Sequence, residues 1–368
     1  MASVTFSAMG QTSKNSNYYL LVGTYTNEAK TNGIHVYTFN TETGDVTEKS
    51  VTTGVRNPSF LAISDDRRNV YSVSEAGEGK GVNAYSFDPA IGKLTFLNSG
   101  SSGGNGPCYI TVDKKKRWVF TANYGGGSLS ATRLNKDGSL TTDVQAIQHE
   151  GSSVDKSRQD KPHVHSVVLS PDGDYLMVPD LGTDKVNIYR FNPAGEKPLV
   201  PASPAFTSVH AGGGPRHLAF HPNGKHAYLI LEMEGAVAAF DYKDGDLQPK
   251  QRVTMLAQDF KGKVGAADIH VSPDGKFLYA SNRGEANEIV VYAIGKDGGI
   301  TYTGRQSSGI NTPRNFAIDP SGNFLLVGNQ NGNDIAIFRR DQKTGLLSPT
   351  GKTIKVDKPV CLKFVAMN

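Results

Sequence analysis

A few side chains in this chain stand at places where acid–base and anion chemistry could occur. His163 and His165 lie two residues apart in Pro162-His-Val-His-Ser166, so an extended strand would aim both rings to one side. One ring could then act as a general base near neutral pH while the other binds an anion. Arg216 and Arg283 carry forked N–H donors that suit a carboxylate or phosphate, or the oxyanion of a tetrahedral intermediate. Glu232 could orient a histidine or activate water. The plainer alternatives are a histidine hydrogen-bonded where a strand begins, and an ion pair between repeats that joins the arginines to Glu232. Asp268 and His270 suggest a metal site only weakly, because no compact ligand pattern stands beside them. No Gly-x-Ser-x-Gly elbow links a strand to a helix, which argues against a serine hydrolase. Gly125-Gly126-Gly127 joins strands and lacks the helix that a phosphate loop requires.

Residues so far apart can meet only if the elements that carry them recur, and a repeat runs through the chain. An aliphatic residue followed three places later by an aromatic opens at Ile34, Val82, Val186, Val237, Ile289 and Ile335, with a degraded copy at Leu129. Successive starts differ by 48, 47, 57, 51, 52 and 46 residues, too few for each unit to bury a core alone. Ser170-Pro-Asp-Gly173, His221-Pro-Asn-Gly224, Ser272-Pro-Asp-Gly275 and Asp319-Pro-Ser-Gly322 supply tight turns between apolar strands. A second glycine, as in Asp137-Gly138 and Thr344-Gly345, opens a further hairpin. Each unit therefore reads as a four-stranded antiparallel meander. Seven such units arranged radially make an all-β, seven-bladed β-propeller.

The innermost strands open at Pro58, Pro107, Pro215, Pro313 and Pro359, with Val164 and Ala266 in phase. The unit at Pro359 has only one strand left, Val360 to Val365, whereas the other end offers three: 18–22, 34–39 and 46–51. The last strand should complete a blade begun by the first three and close the ring. Residues 1–17 read as a flexible tail and 18–368 as one propeller domain. At one mouth of the channel, innermost-strand starts meet second-strand ends. The starts supply His165, Arg216, His217, Asp268, Arg314 and Asn315; the ends supply Glu75, Asn123, Tyr124, Asp180, Glu232, Arg283 and Gln330. The longest gap carries an insertion near 150–161 whose Lys156, Arg158 and Lys161 form a basic loop able to cover the mouth and grip a phosphorylated substrate.

Several motifs in this order resemble the seven-bladed propeller lactonase family, which includes propeller-type 6-phosphogluconolactonases and fungal carboxy-muconate lactonizing enzymes. They are Gly23-Thr-Tyr-Thr26 followed by Gly33-Ile34, Arg158-Gln159 before the His163/His165 segment, Gly214-Pro-Arg-His217, and Ala267-Asp-Ile-His270 with Tyr279 and Arg283. The resemblance spans about Tyr18 to Phe364. It implies the propeller fold and lactone chemistry, and carries the site residues of the muconate enzymes onto the His163/His165 motif, Arg216, Glu232 and Arg283. Glu232 falls sixteen positions after Arg216, as the family pattern asks. The neighbouring Glu234 departs from that pattern and has no role by resemblance.

The chain has 368 residues, 41 of them Gly and 18 Pro, and 37% are hydrophobic, which is a globular composition rich in turns. A net charge of +4 with no long basic run gives no support for nucleic-acid binding, and no stretch is apolar enough to cross a membrane as a helix. Cys108 and Cys361 are too few for a disulfide scaffold and read as small buried groups. We expect no cofactor or metal, and a small anionic lactone or sugar-acid substrate; protein partners are left open. The cytoplasm is the expected compartment, with a periplasmic or secreted one if the first residues are a signal remnant. The expected reaction is hydrolysis of a sugar-acid lactone, first of all 6-phosphogluconolactone. Catalysis falls to His165, Arg216, Glu232 and Arg283, with His165 and Glu232 activating water. Binding falls to His163, Arg158, His217, Asp268, His270, Arg314, Glu75 and Gln330. A cyclase or isomerase acting on a dicarboxylic acid, and a non-catalytic binding propeller, are the alternatives.

Overall fold

A computed structural model describes residues 16–26, 32–75, 81–115 and 117–367. Among these residues the chain forms seven four-stranded antiparallel sheets. Six are built from consecutive segments: blade 1 (61–100), blade 2 (107–148), blade 3 (164–208), blade 4 (215–254), blade 5 (266–306) and blade 6 (313–355). The seventh is composite. Its innermost strand, Pro359–Ala366, pairs with Asn17–Thr24, and Asn32–Asn40 and Val46–Thr53 follow outward. The closure expected from the repeat is present, with Tyr18 opposite Ala366 and Gly23 opposite Cys361. A Cβ at Gly23 would stand 2.3 Å from the Pro58 carbonyl oxygen, so this seam needs glycine. Most of the expected tail lies outside the described residues.

The blades hold one another through their faces, where large side chains interdigitate. Phe39 meets Phe324 edge-on at 5.5 Å, and Phe120 meets Phe191 at 5.0 Å. One contact recurs from blade to blade. Tyr71, Tyr228 and Tyr279 sit in second strands and are almost wholly buried. Their hydroxyls donate to the carbonyls of Gly138, Gly298 and Gly345 in the outer hairpins of the adjacent blades, at 2.9, 3.0 and 2.7 Å. Those glycines have φ between 75° and 89°, where an L side chain is strained. Each turn glycine thus serves both its own hairpin and the tyrosine that docks on it.

The innermost strands are less regular than the repeat suggests. Blade 1 has a regular one only over Leu61–Ile63, and blade 3 only over Val168–Leu169, with Val164 making a single bridge to Asp180. In blades 2, 4, 5 and 6 the register slips within three residues of the opening. A bulge there lets consecutive residues, such as Arg216 and His217, serve the channel instead of alternating across the sheet.

Candidate active site

The channel mouth is built by one backbone rule. In each blade a residue one or two places after the second strand donates its N–H to a carbonyl shortly before the innermost strand. These residues are Tyr25, Glu75, Tyr124, Leu181, Glu232, Arg283 and Gln330, and their acceptors are Lys358, Asn57, Gly106, His163, Gly214, Gly265 and Thr312. Seven equivalent positions therefore ring the mouth. The strand openings supply Cys108, His165, Arg216 and Arg314, accompanied by Phe60, Tyr109, His217, Asp268 and Asn315. The ring includes Tyr25, an uncharged side chain in phase with Glu232 and Arg283. It also separates Asn123 and Asp180 from the mouth. They are the buried last residues of their strands, and Asp180 turns outward to His149 Nδ1 at 2.8 Å.

Four of the expected residues converge on a fifth, the carboxylate of Glu232. Glu232 Oε2 lies 2.9 Å from Arg216 Nε and 3.1 Å from Arg283 Nη2, while Oε1 accepts from Arg158 Nη2 at 2.9 Å. His165 Nε2 stands 3.9 Å from Oε2. Three guanidiniums on a single carboxylate leave two positive charges in excess. Arg216 is fully buried and Arg283 largely so, whereas 44% of the Arg158 side chain is exposed. Arg158 comes from the insertion between blades 2 and 3, and its Nη2 also donates to the Tyr124 hydroxyl at 3.2 Å. Asp184 receives the Ser153 hydroxyl at 2.5 Å and the Gly212 and Gly214 amides at 2.7 and 2.8 Å. Gln159, wholly buried, donates to Leu181 O. The loop is thereby fixed to the turn that leads into Arg216. Its lysines do not join the cluster: Lys156 and Lys161 turn to the carbonyls of Ser153 and Gly125.

Electrostatics divides the labour among these groups. Burial opposes ionisation of Glu232, but Arg283, Arg216 and Arg158 outweigh it and bring its carboxyl down to about 2. Burial, reinforced by Arg216, His217 and Arg314, holds the His165 imidazolium well below the ordinary histidine range, so the ring is neutral at pH 7. Burial with Arg283 and Arg314 nearby presses Arg216 downward as well, against Glu232 and Asp268. A neutral imidazole can accept a proton, whereas a carboxylate engaged by three guanidiniums is a weak base.

The other expected residues form three neighbouring groups. His163 lies face to face with Tyr124 at 4.6 Å, its Nδ1 3.0 Å from the Tyr124 carbonyl, and His165 meets the same tyrosine edge-on at 5.2 Å. Tyr124, in place of a regular strand, gathers the two rings. His217 Nδ1 lies 2.7 Å from Asp268 Oδ1, His270 Nε2 lies 2.9 Å from Asp268 Oδ2, and Asn315 Nδ2 donates to that same oxygen. Arg314 stands 3.9 Å from Glu75 and 5.3 Å from the Tyr25 ring centre. Gln330 shares the ring through its backbone, and its half-buried side chain makes no hydrogen bond among the described residues. Glu234 points away to Arg252 and His210, at 2.8 and 3.4 Å. Cys108 packs against His165, its Sγ 3.4 Å from the His165 carbonyl oxygen, its thiol pushed up to about 12 by burial. Gly100-Ser-Ser-Gly-Gly104 has the spacing of a nucleophile elbow, but it joins two blades and Ser102 is buried, donating to the Gly104 carbonyl.

The chain is thus a closed seven-bladed propeller whose channel mouth gathers Arg158, Arg216, Arg283 and Arg314 beside Glu232 and Glu75. The sequence model described as Lactonase, 7-bladed beta-propeller matches residues 19–364, and the chain belongs to that family. It is 34% identical to the 6-phosphogluconolactonase of Bacillus subtilis (strain 168), over 95% of this chain and 99% of that one. Among solved structures, a Bacteroides fragilis chain is 43% identical with a TM-score of 0.91, covering 97% of this chain and all of that one. The periplasmic gluconolactonase of Pseudomonas aeruginosa is 39% identical with a TM-score of 0.90, covering 96% of this chain and all of that one.

Proposed function

We propose that this chain hydrolyses the lactone of an anionic sugar acid, with 6-phospho-D-glucono-1,5-lactone as the first candidate. The observation that carries the reading is the Glu232 cluster: three guanidiniums share one carboxylate beside a neutral, buried histidine. The solvent-reaching Arg158 receives the anionic end of the substrate. Arg216 and Arg283 face the lactone carbonyl, with Glu232 aligning them. Water attacks the carbonyl carbon as His165 takes its proton, and the negative charge gathers on the carbonyl oxygen, where the guanidiniums stabilise it. Collapse breaks the ring C–O bond, and the departing oxygen takes the proton back from His165. In this reading His165 is the base and Glu232 holds the arginines, a narrower role for the acid than sequence alone suggested.

The test is a substrate panel of 6-phospho-D-glucono-1,5-lactone, D-glucono-1,5-lactone and a carboxy-muconate, with and without chelator and with spontaneous opening subtracted. We expect the phosphorylated lactone to exceed the neutral one in kcat/KM by at least about tenfold, because a desolvated charge-assisted contact is worth about 1.5–3 kcal/mol. Faster opening of the neutral lactone would move the assignment to an uncharged substrate. Cyclisation of the muconate without lactone hydrolysis would overturn it.

A further inference from the structure

We infer that His217 is a positioning residue for Arg216, held in that task by Asp268. This rests on the lactonase reading for its kinetic test but not for its geometry. Asp268 is 2% exposed and accepts from His217 Nδ1 at 2.7 Å, His270 Nε2 at 2.9 Å, Asn315 Nδ2 and the Phe316 amide at 3.3 Å. A buried carboxylate with four donors is ionised, so the proton at the His217–Asp268 contact resides on Nδ1. Nε2 then carries the lone pair, and Arg216 Nη1 stands against the ring, 3.3 Å from Nε2 and 3.5 Å from Nδ1. The ring is 5% exposed and packs edge-on against Phe60, Tyr109 and His165, at 5.8, 5.1 and 5.5 Å. No nitrogen of His217 is left for a substrate, contrary to the binding role that its sequence position suggested.

The guanidinium of Arg216 is thus fixed on two sides. Glu232 Oε2 forms an ion pair at Nε, 2.9 Å away, from the mouth, while Nη1 faces His217 and donates to the Ala267 carbonyl, next to Asp268 in blade 5. Neither Nε nor Nη2 makes a hydrogen bond among the described residues, and both are donors left for a ligand. A charged ring at 217 would repel this guanidinium. Burial and Arg216 keep the ring neutral, pulling it down to about 3 against the attraction of Asp268. Asp268 fixes the tautomer and the neutral ring fixes the arginine, so aim is set without a second cation in the site.

The test compares His217→Phe, which keeps the ring packing, with His217→Gln, which can still present an acceptor to Arg216, and with Asp268→Asn, each also in an Arg216→Lys background. We expect His217→Phe and Asp268→Asn to lower kcat roughly ten- to hundredfold with KM within about threefold, the cost of misplacing a catalytic group by about an ångström. His217→Gln should keep kcat within about threefold, and neither loss should recur beyond threefold once Arg216 is Lys. Wild-type kcat in His217→Phe, or its full loss repeated in the Arg216→Lys background, would overturn the inference. If His217→Phe fails to melt cooperatively, Asp268→Asn and His217→Gln decide between the same outcomes. Calorimetric binding of inorganic phosphate separates this inference from the proposed reaction. If the wild type opens no lactone, the reaction fails. The positioning role then stands if Asp268→Asn weakens phosphate about tenfold only when Arg216 is present, and falls if the weakening is absent or indifferent to Arg216.

Discussion

Burial, Arg216, His217 and Arg314 all disfavour a proton on His165, so this ring reaches its neutral, proton-accepting form at a pH below that of a free histidine. If it is the base, the acidic limb of kcat/KM belongs to that lowered value. We predict activity level from pH 8 down through 6.5, falling only at lower pH, and His165→Asn lowering kcat by about two to four orders of magnitude. A limb centred at or above 6.5, measured after subtraction of spontaneous lactone opening, would assign the base elsewhere. His165, Arg216, Glu232 and Arg283 were legible in the sequence because each stands at one phase of a repeat where a small residue would serve the fold. Tyr25 occupies the same phase as Glu232, but an uncharged aromatic there is not distinguishable in sequence from a packing residue. The pairing of His217 with Asp268 was not legible, since a contact between blades leaves no mark in either segment.

At the scale of elements, the repeat read correctly where strands are regular and poorly where they bend. The bulges at the openings put Arg216 beside His217 and Asp268 beside Ala267, and no two-residue alternation reveals a bulge. The insertion at 150–161 was recognised as basic, but the internal bonds of Ser153, Asp184 and Gln159 that bring Arg158 inward and leave Lys156 and Lys161 outward depend on partners in other blades. The blade-to-blade tyrosine contact gives a test of how the elements cohere. Tyr279→Phe removes the hydroxyl bonded to Gly345 O and to Arg340 Nε at 2.7 and 2.8 Å. It should cost about 1–3 kcal/mol of stability, because a buried guanidinium loses a partner. Chemical denaturation checks this; an unchanged midpoint would show that the blades are held by apolar packing alone. Ring closure was the most legible feature, since a unit with one strand and another with three complete each other.

Across the whole molecule, a modest net charge of +4 conceals a strongly uneven distribution. Arg158, Arg216, Arg283 and Arg314 come from four different parts of the chain, and the ring brings them to one opening against Glu232 and Glu75. Such a focus attracts an anionic substrate over several ångströms and is screened by salt. Raising ionic strength from 0.02 to 0.5 M should therefore raise KM for the phosphorylated lactone several-fold and leave KM for neutral gluconolactone nearly constant; equal sensitivity of the two would remove the electrostatic argument. The most direct measurement is the catalysed opening of 6-phosphogluconolactone by Arg216→Ala, in protein shown by its melting curve to be folded. The account predicts a loss of roughly a hundred- to a thousandfold in kcat, the cost of removing one stabiliser of a developing oxyanion. A variant that keeps the wild-type rate would contradict it.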